Sequence, residues 1–210
     1  MPLYETFYDA FEKLEQEKCI QIVSDALKTG SISIEDLYEN VLRMSMSHLT
    51  DVETDENHKI WKEHIQSGIV RSVIEMAYPY VLNLRDTKPL KRAAVICPDG
   101  EQHELGARMV SDYIRMMGFE TFFVGRDTPR KELFDLIETL KLDLVAISVT
   151  NYYNLSKAVQ MVSLIETSFP TIKLIVGGNA FEMNPNLFDQ SNVKVTHTYK
   201  DIKRVLGDLV

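Results

Sequence analysis

The chain has little that would tie it to a membrane, an oxidising compartment or a nucleic acid. No apolar run approaches the ~18–20 residues needed to cross a bilayer. The amino-terminal stretch MPLYETFYDAFEKLEQEK is amphipathic and acidic, without the basic start and apolar centre of a secretory leader. Only two cysteines are present, Cys19 and Cys97. They stand far apart in apolar runs and read as buried free thiols in a reducing cytoplasm. Basic charge is scarce: 23 Lys+Arg face 31 Asp+Glu, for a net charge of -8. An acidic chain repels a phosphate backbone. The densest basic stretch, Lys88 to Arg92, has the composition of a linker. There is no internal repeat and no low-complexity tract. With 45% hydrophobic and 26% charged residues over 210 positions, the chain has the make-up of one large or two small globular domains.

What is present changes character near residue 85. The first part carries helical spacing only. Leu3, Phe7, Phe11 and Leu14 form one apolar stripe, and Cys19, Ile22, Val23, Ala26 and Leu27 a second that ends at Gly30. Ser33 ahead of Ile34-Glu35-Asp36 is an N-cap signal, followed by Leu37, Val41, Leu42 and Met46. Another helical pattern runs from His58 to about Leu82, where Pro79 should kink or end it. The expectation is a four-helix bundle over residues 1–85.

After a polar linker, strand and helix patterns alternate over 90–210. Strands are expected at Arg92–Cys97, Glu120–Val124, Leu142–Ser148, Thr171–Val176 and Val193–Val195. Helices are expected at Leu105–Met117, Pro129–Leu140, Leu155–Ser168 and near Ile202–Leu209. This is the pattern of a doubly wound parallel sheet, so the fold class is α plus α/β. Such sheets bind ligands beyond the carboxyl ends of their strands, near the switch in strand order. In the flavodoxin-like order the loops after strands one, three and four are neighbours, and they would form one site.

The first of these loops, PDGEQHELG, has only Gly100 and Gly106. That is a poor match to the glycine-rich turn a dinucleotide requires. The end of strand three offers Ser148, where a phospho-receiver would need an aspartate. The first loop does carry Glu101-x-His103-x-x-Gly106. A carboxylate two residues before a histidine can accept its Nδ1–H, leaving Nε2 for a metal. By itself the triplet reads equally as a solvated surface loop.

Spacing adds a second signal. Residues 107–147 separate Gly106 from Ser148-x-Thr150, and residues 151–176 separate Thr150 from Gly177-Gly178. These three elements resemble the cobalamin-binding domain of methionine synthase, the methyl-carrying corrinoid proteins and the cobalamin mutases, over roughly residues 90–210. The helical part resembles the cap that precedes this domain. The resemblance implies His103 as the lower axial ligand of cobalt, with the cofactor's own base displaced, and Glu101 as its hydrogen-bond partner. It implies Ser148 and Thr150 lining a channel for the nucleotide tail, Gly177 and Gly178 beside that tail, and Gly106 giving clearance at the helix start. Two departures stand out: Glu101 where aspartate is usual, and Asn154 where methionine synthase has a serine.

In the helical part, Glu63-His64 resembles the Glu-His pair of the adenosylcobalamin photoreceptors related to light-sensing repressors. Their tryptophan and histidine positions are held here by Glu53 and Thr54, with Trp61 nearby. Trp61, Glu63 and His64 are therefore candidate cofactor contacts on the upper face, with His58 or His64 the candidate upper histidine. The competing readings are a core tryptophan and a solvated Glu-His pair. Tyr152-Tyr153 reads either as a cofactor contact or as aromatic packing.

The resemblance implies a cobalamin-binding sensor module, taking adenosylcobalamin and open to light response, rather than an enzyme. Its output would pass through a protein partner or self-association, with no direct nucleic-acid contact and no membrane. The alternative is a corrinoid carrier, loaded with methylcobalamin, that moves methyl groups between methyltransferases. A third reading is a protein of this fold that binds no cobalamin and serves as an interaction module.

Overall fold

The computed structural model describes residues 3–50, 59–85, 91–182, 187–188 and 193–207, the side chains of 48–50 excepted. The chain divides into two compact units, Met1–Leu84 and Arg85–Val210.

The first unit is helical. Helices α1 (Leu3–Glu12) and α2 (Gln16–Lys28) are followed by α3 (Ile34–Asp36), a π-helical stretch over Leu37–Leu42, α4 (Arg43–Thr50) and α5 (Ile60–Leu84). Gly30, at φ 68°, allows the chain to turn after α2. Ser33 then caps α3, its Oγ accepting from Asp36 N at 3.0 Å. The apolar stripes meet in one core of Phe7, Phe11, Cys19, Val23, Leu37, Tyr38, Leu42, Ile69 and Val73. Pro79 does not end the last helix early. It is exposed, and α5 continues to Leu84. Loss of one backbone hydrogen bond at the surface is outweighed by burial of Val73, Ala77 and Val81 along the inner face.

The second unit is a five-stranded parallel sheet in the order β2-β1-β3-β4-β5. Its elements are β1 (Arg92–Pro98), α6 (Leu105–Met116), β2 (Glu120–Thr128), α7 (Leu133–Leu140), β3 (Leu144–Ser148), α8 (Leu155–Ser168), β4 (Lys173–Gly177), α9 (Asn179–Glu182), β5 (Lys194–Val195) and α10 (Tyr199–Leu206). This is the doubly wound, flavodoxin-like arrangement the alternating pattern predicts. Ala93 to Cys97, Leu144 to Ile147 and Leu174 to Val176 are buried throughout, as central parallel strands covered on both faces must be. Both cysteines are free and buried; burial pushes the thiols up, to about 11 for Cys19 and about 12 for Cys97.

Among the boundaries that differ from the sequence expectation, three have a local reason. β2 runs past Val124 to Thr128, because its register with β1 slips so that Ile96 meets Gly125 and Pro98 meets Thr128. The segment after Pro129 opens with a 3-10 turn over Arg130–Glu132 before α7 begins. α10 starts at Tyr199, fixed by a capping box in which Thr198 and Asp201 satisfy each other's backbone N–H groups. No helix among the described residues is long and apolar enough to cross a membrane.

One buried ion pair braces the second unit. Asp112 is fully buried on α6 and accepts from Arg115 Nη1 at 2.8 Å, while Arg115 Nη2 donates to Thr121 O at 2.6 Å. Removing the carboxylate leaves a guanidinium without its counter-charge in a low-dielectric interior. We expect Asp112→Ala to cost about 3–5 kcal/mol of stability, read as a lowered urea midpoint.

Candidate cofactor-binding site

β1, β3 and β4 are neighbours in the sheet, so the loops leaving their carboxyl ends lie side by side. Direct hydrogen bonds join them, and the first joint is Glu101. Its side chain has no exposed surface. Oε1 accepts from the His103 ring Nδ1 at 2.7 Å and from His103 N at 3.0 Å. Oε2 accepts from Thr150 N at 3.1 Å, Asn151 N at 2.9 Å and Asn154 Nδ2 at 3.3 Å. The loop after β1 is thereby tied to the loop after β3. Burial pushes the Glu101 carboxyl up, but the bonds from the His103 ring, His103 N, Asn151 N and Asn154 outweigh it. They hold the group at about 2, against an ordinary 4.5.

An ionised Glu101 determines the chemistry of His103. An ionised carboxylate only accepts, so the His103 Nδ1 is the donor of that bond, and Nε2 is the ring nitrogen that Glu101 does not engage. The ring is half-exposed, at 51%, on a loop end where a ligand can reach it. A glutamate here, longer than the usual aspartate, accepts from the backbone N–H of His103 as well as from its ring.

The second joint is Val149, between Ser148 and Thr150. Its N donates to Gly177 O at 2.9 Å, and its own O accepts from Ala180 N at 3.2 Å. Ser148 pairs with Gly177 in the sheet register. Close backbone neighbours give the two glycines a reason within the protein itself. A Cβ on Gly177 would lie 2.6 Å from Thr196 O, and one on Gly178, at φ 101°, 2.3 Å from Val149 O. Ser148 and Thr150 are half-buried at the rim. At Gly106, in the first turn of α6, a Cβ would meet nothing within 4 Å. That side of the helix start is open, as a bulky ligand would need. The structure thus gathers Glu101, His103, Ser148, Thr150, Gly177 and Gly178 at one end of the sheet.

The donor set suits cobalamin. His103 offers one nitrogen, and among the described residues no three His, Cys, Asp or Glu side chains gather as a metal cage. A single imidazole fits a metal whose equatorial positions a macrocycle already fills. For Tyr152-Tyr153 the packing reading does not hold, and for Trp61 the competing core reading does not. Tyr152 is 54% and Tyr153 88% exposed, so they do not pack; they flank the loop that binds Glu101. Trp61 is 55% exposed and is not a core residue of the helical unit. With exposed His64 and Ile65, and with Gly68, it lines one face of α5. Glu63 is half-buried on the same helix. His58, Glu53 and Thr54 lie outside the described residues.

Sequence reasoning overlooked the backbone N–H groups of Thr150 and Asn151; Asn154, noted only as a departure from serine, supplies an amide that also donates to Gly100 O at 3.2 Å. Their signal was the pair of asparagines at the start of α8. Asn151 Oδ1 accepts from Tyr153 N at 3.0 Å and so caps the 3-10 turn Tyr152–Asn154 that precedes α8.

Comparison with known proteins bears on the same residues. Over 146 residues the chain is 24% identical to the HTH-type transcriptional repressor CarA of Myxococcus xanthus, covering 70% of this chain and 47% of that protein. Over 82 residues it is 27% identical to the dimethylamine corrinoid protein of Methanosarcina barkeri, covering 38% of each. The chain therefore spans about half or less of the curated relatives it matches. In fold it is similar to the monomethylamine corrinoid protein of Methanosarcina barkeri, with a TM-score of 0.83 at 14% identity, covering 99% of this chain and 98% of that one. A family model described as the B12 binding domain matches residues 91–198. These matched residues make up half of the chain and include the Glu101–His103 pair and both further loops: the chain belongs to the B12-binding domain family and is a cobalamin-binding module.

Proposed function

We propose that the chain is a cobalamin sensor that holds its cofactor through His103 Nε2 as the lower axial ligand to cobalt. The supporting observation is the 2.7 Å bond between the His103 ring and a wholly buried Glu101. That bond fixes the tautomer, orients the ring and raises the basicity of the ligating nitrogen. Ser148 and Thr150 would flank the nucleotide tail, and the open side of Gly106 would give the macrocycle clearance. When bound, the cofactor supplies cobalt–carbon bond chemistry; the protein supplies the ligand, the anion behind it and the fixed loops.

Two features favour a sensor loaded with adenosylcobalamin. The likeness to the CarA repressor extends over more residues than the 85–210 unit contains, so it reaches into the helical unit. The second oxygen of Glu101 is closed by three N–H donors. An amide at Asn154 stands where a hydroxyl could relay a proton. A ligand that must leave and return in each cycle needs such a relay, whereas a ligand that stays in place does not. A second reading, the corrinoid carrier for methyl transfer between methyltransferases, draws on the full-length likeness to the monomethylamine corrinoid protein.

Absorption spectra taken with adenosylcobalamin and methylcobalamin, in darkness and after green light, separate the readings. The sensor reading expects a light-dependent spectral change with adenosylcobalamin and a change in self-association. A light-inert protein that exchanges methyl groups with a methyltransferase supports the carrier, and a protein left colourless by both cofactors overturns both. His103→Ala should lose the imidazole-ligated spectrum. Glu101→Gln should weaken cobalamin binding about 10–100-fold.

The pH dependence follows from the Glu101 carboxyl. Its folded value of about 2 lies below the ordinary 4.5, so its charge contributes stability in full above about pH 5. That contribution, about 3 kcal/mol at most, is lost as pH falls from 4.5 toward 2. The gap in urea midpoint between wild type and Glu101→Gln should be widest at neutral pH and close across that acid range.

A further inference from the structure

The loop that carries His103 is held from a second side, by β2. Between Val95 and Ile96 the β1–β2 register skips one residue of β2, and between Ile96 and Pro98 it takes three steps along β2, from Gly125 to Thr128, against two along β1. A bulge of this kind re-aims side chains at the end of a sheet. Asp127 lies within it at φ 56°, a left-handed conformation that is uncommon for a residue with a side chain. Such conformations concentrate where a neighbouring group must be held in place. Here the conformation gives Asp127 two bonds to the loop. Its Oδ1 accepts from Gly100 N at 2.7 Å, and its N donates to Glu101 O at 3.1 Å. The rest of the bulge is shaped to the same loop. Arg126 N donates to Glu104 Oε2 at 3.1 Å, and a Cβ on Gly125 would lie 2.7 Å from that oxygen. Thr128 Oγ1 closes the turn by donating to Gly125 O at 3.0 Å.

We propose that Asp127 is a positioning residue for His103: from the bulge of β2 it clamps Gly100 and Glu101, and so fixes the position from which the imidazole meets cobalt. The proposal rests on the reading of His103 as the cobalt ligand. The clamp complements the one from β3. Glu101 is gripped at its side chain by Thr150, Asn151 and Asn154 and at its main chain by Asp127. Without the Asp127 carboxylate, the N–H of Gly100 loses its acceptor, and the residue, at φ 83°, is held through its carbonyl by Asn154.

Asp127→Gly isolates the effect, because glycine adopts the left-handed conformation without steric cost while the accepting oxygen is removed. Asp127→Asn keeps a carbonyl oxygen at the same place. The measurements are the melting temperature, hydrogen exchange at the Gly100 amide in the cofactor-free protein, methylcobalamin affinity, and the imidazole-ligated fraction in the absorption spectrum. Asp127→Gly should melt at or above wild type and exchange faster at Gly100. It should bind methylcobalamin about 10-fold more weakly, with a smaller imidazole-ligated fraction, and Asp127→Asn should restore all of these toward wild type. In a His103→Ala background the further change Asp127→Gly should cost no affinity, since the residue acts through the imidazole. The proposal is overturned if Asp127→Gly keeps wild-type affinity and spectrum, or if its loss of affinity persists undiminished in the His103→Ala background. A His103→Ala protein with the wild-type spectrum overturns the ligand assignment instead, a separate result.

Discussion

A carboxylate without access to water is costly unless its lone pairs are engaged, and Glu101 meets that condition through five N–H donors from two loops. Two come from His103 and three from the stretch Thr150–Asn154. The anion is a covalent part of the first loop and an electrostatic anchor for the second. Its charge orients the imidazole, and its burial makes the loop conformation a condition of folding rather than of ligand binding. A ligand nitrogen placed in this way needs little reorganisation when a metal arrives.

The sheet order makes the anchor possible. Because β3 lies next to β1 and β4 next to β3, three segments distant in sequence end at one edge. Backbone bonds at Val149 then join the second loop to the third. That joint leaves no room for a Cβ at Gly178, and the approach of Thr196 O leaves none at Gly177. The glycine pair therefore serves the protein's own backbone first, and any clearance for a cofactor follows from it. The β2 bulge belongs to the same construction, since Arg126 and Asp127 within it bond to the His103 loop.

Much of this could be read from the residues alone. Runs such as Ala93 to Cys97 and Leu174 to Val176 announce strands buried on both faces, and the helices between them carry ordinary apolar stripes. The Glu101-x-His103-x-x-Gly106 spacing and its distance to Ser148 and Gly177 pointed to three loops at one edge. Other features depended on tertiary structure. Trp61 and the Tyr152-Tyr153 pair have the hydrophobicity of core residues, but whether a neighbour covers them is not encoded in their own spacing. The continuation of α5 past Pro79 depends on the inner face it buries. The bulge at Gly125–Asp127 has no periodic signature, since one slipped pairing depends on both strands. Nor does composition disclose backbone donors such as Thr150 N and Asn151 N, which every residue but proline has.

The most direct test of the central claim is electron paramagnetic resonance of the protein loaded with cobalamin and reduced by one electron, with and without heavy-nitrogen-labelled histidine. If His103 ligates cobalt from below, the nitrogen splitting of the cobalt signal changes from a triplet to a doublet on labelling, and this change disappears in His103→Ala. A splitting pattern indifferent to the label, from the cofactor's own base or from no nitrogen, would contradict the account.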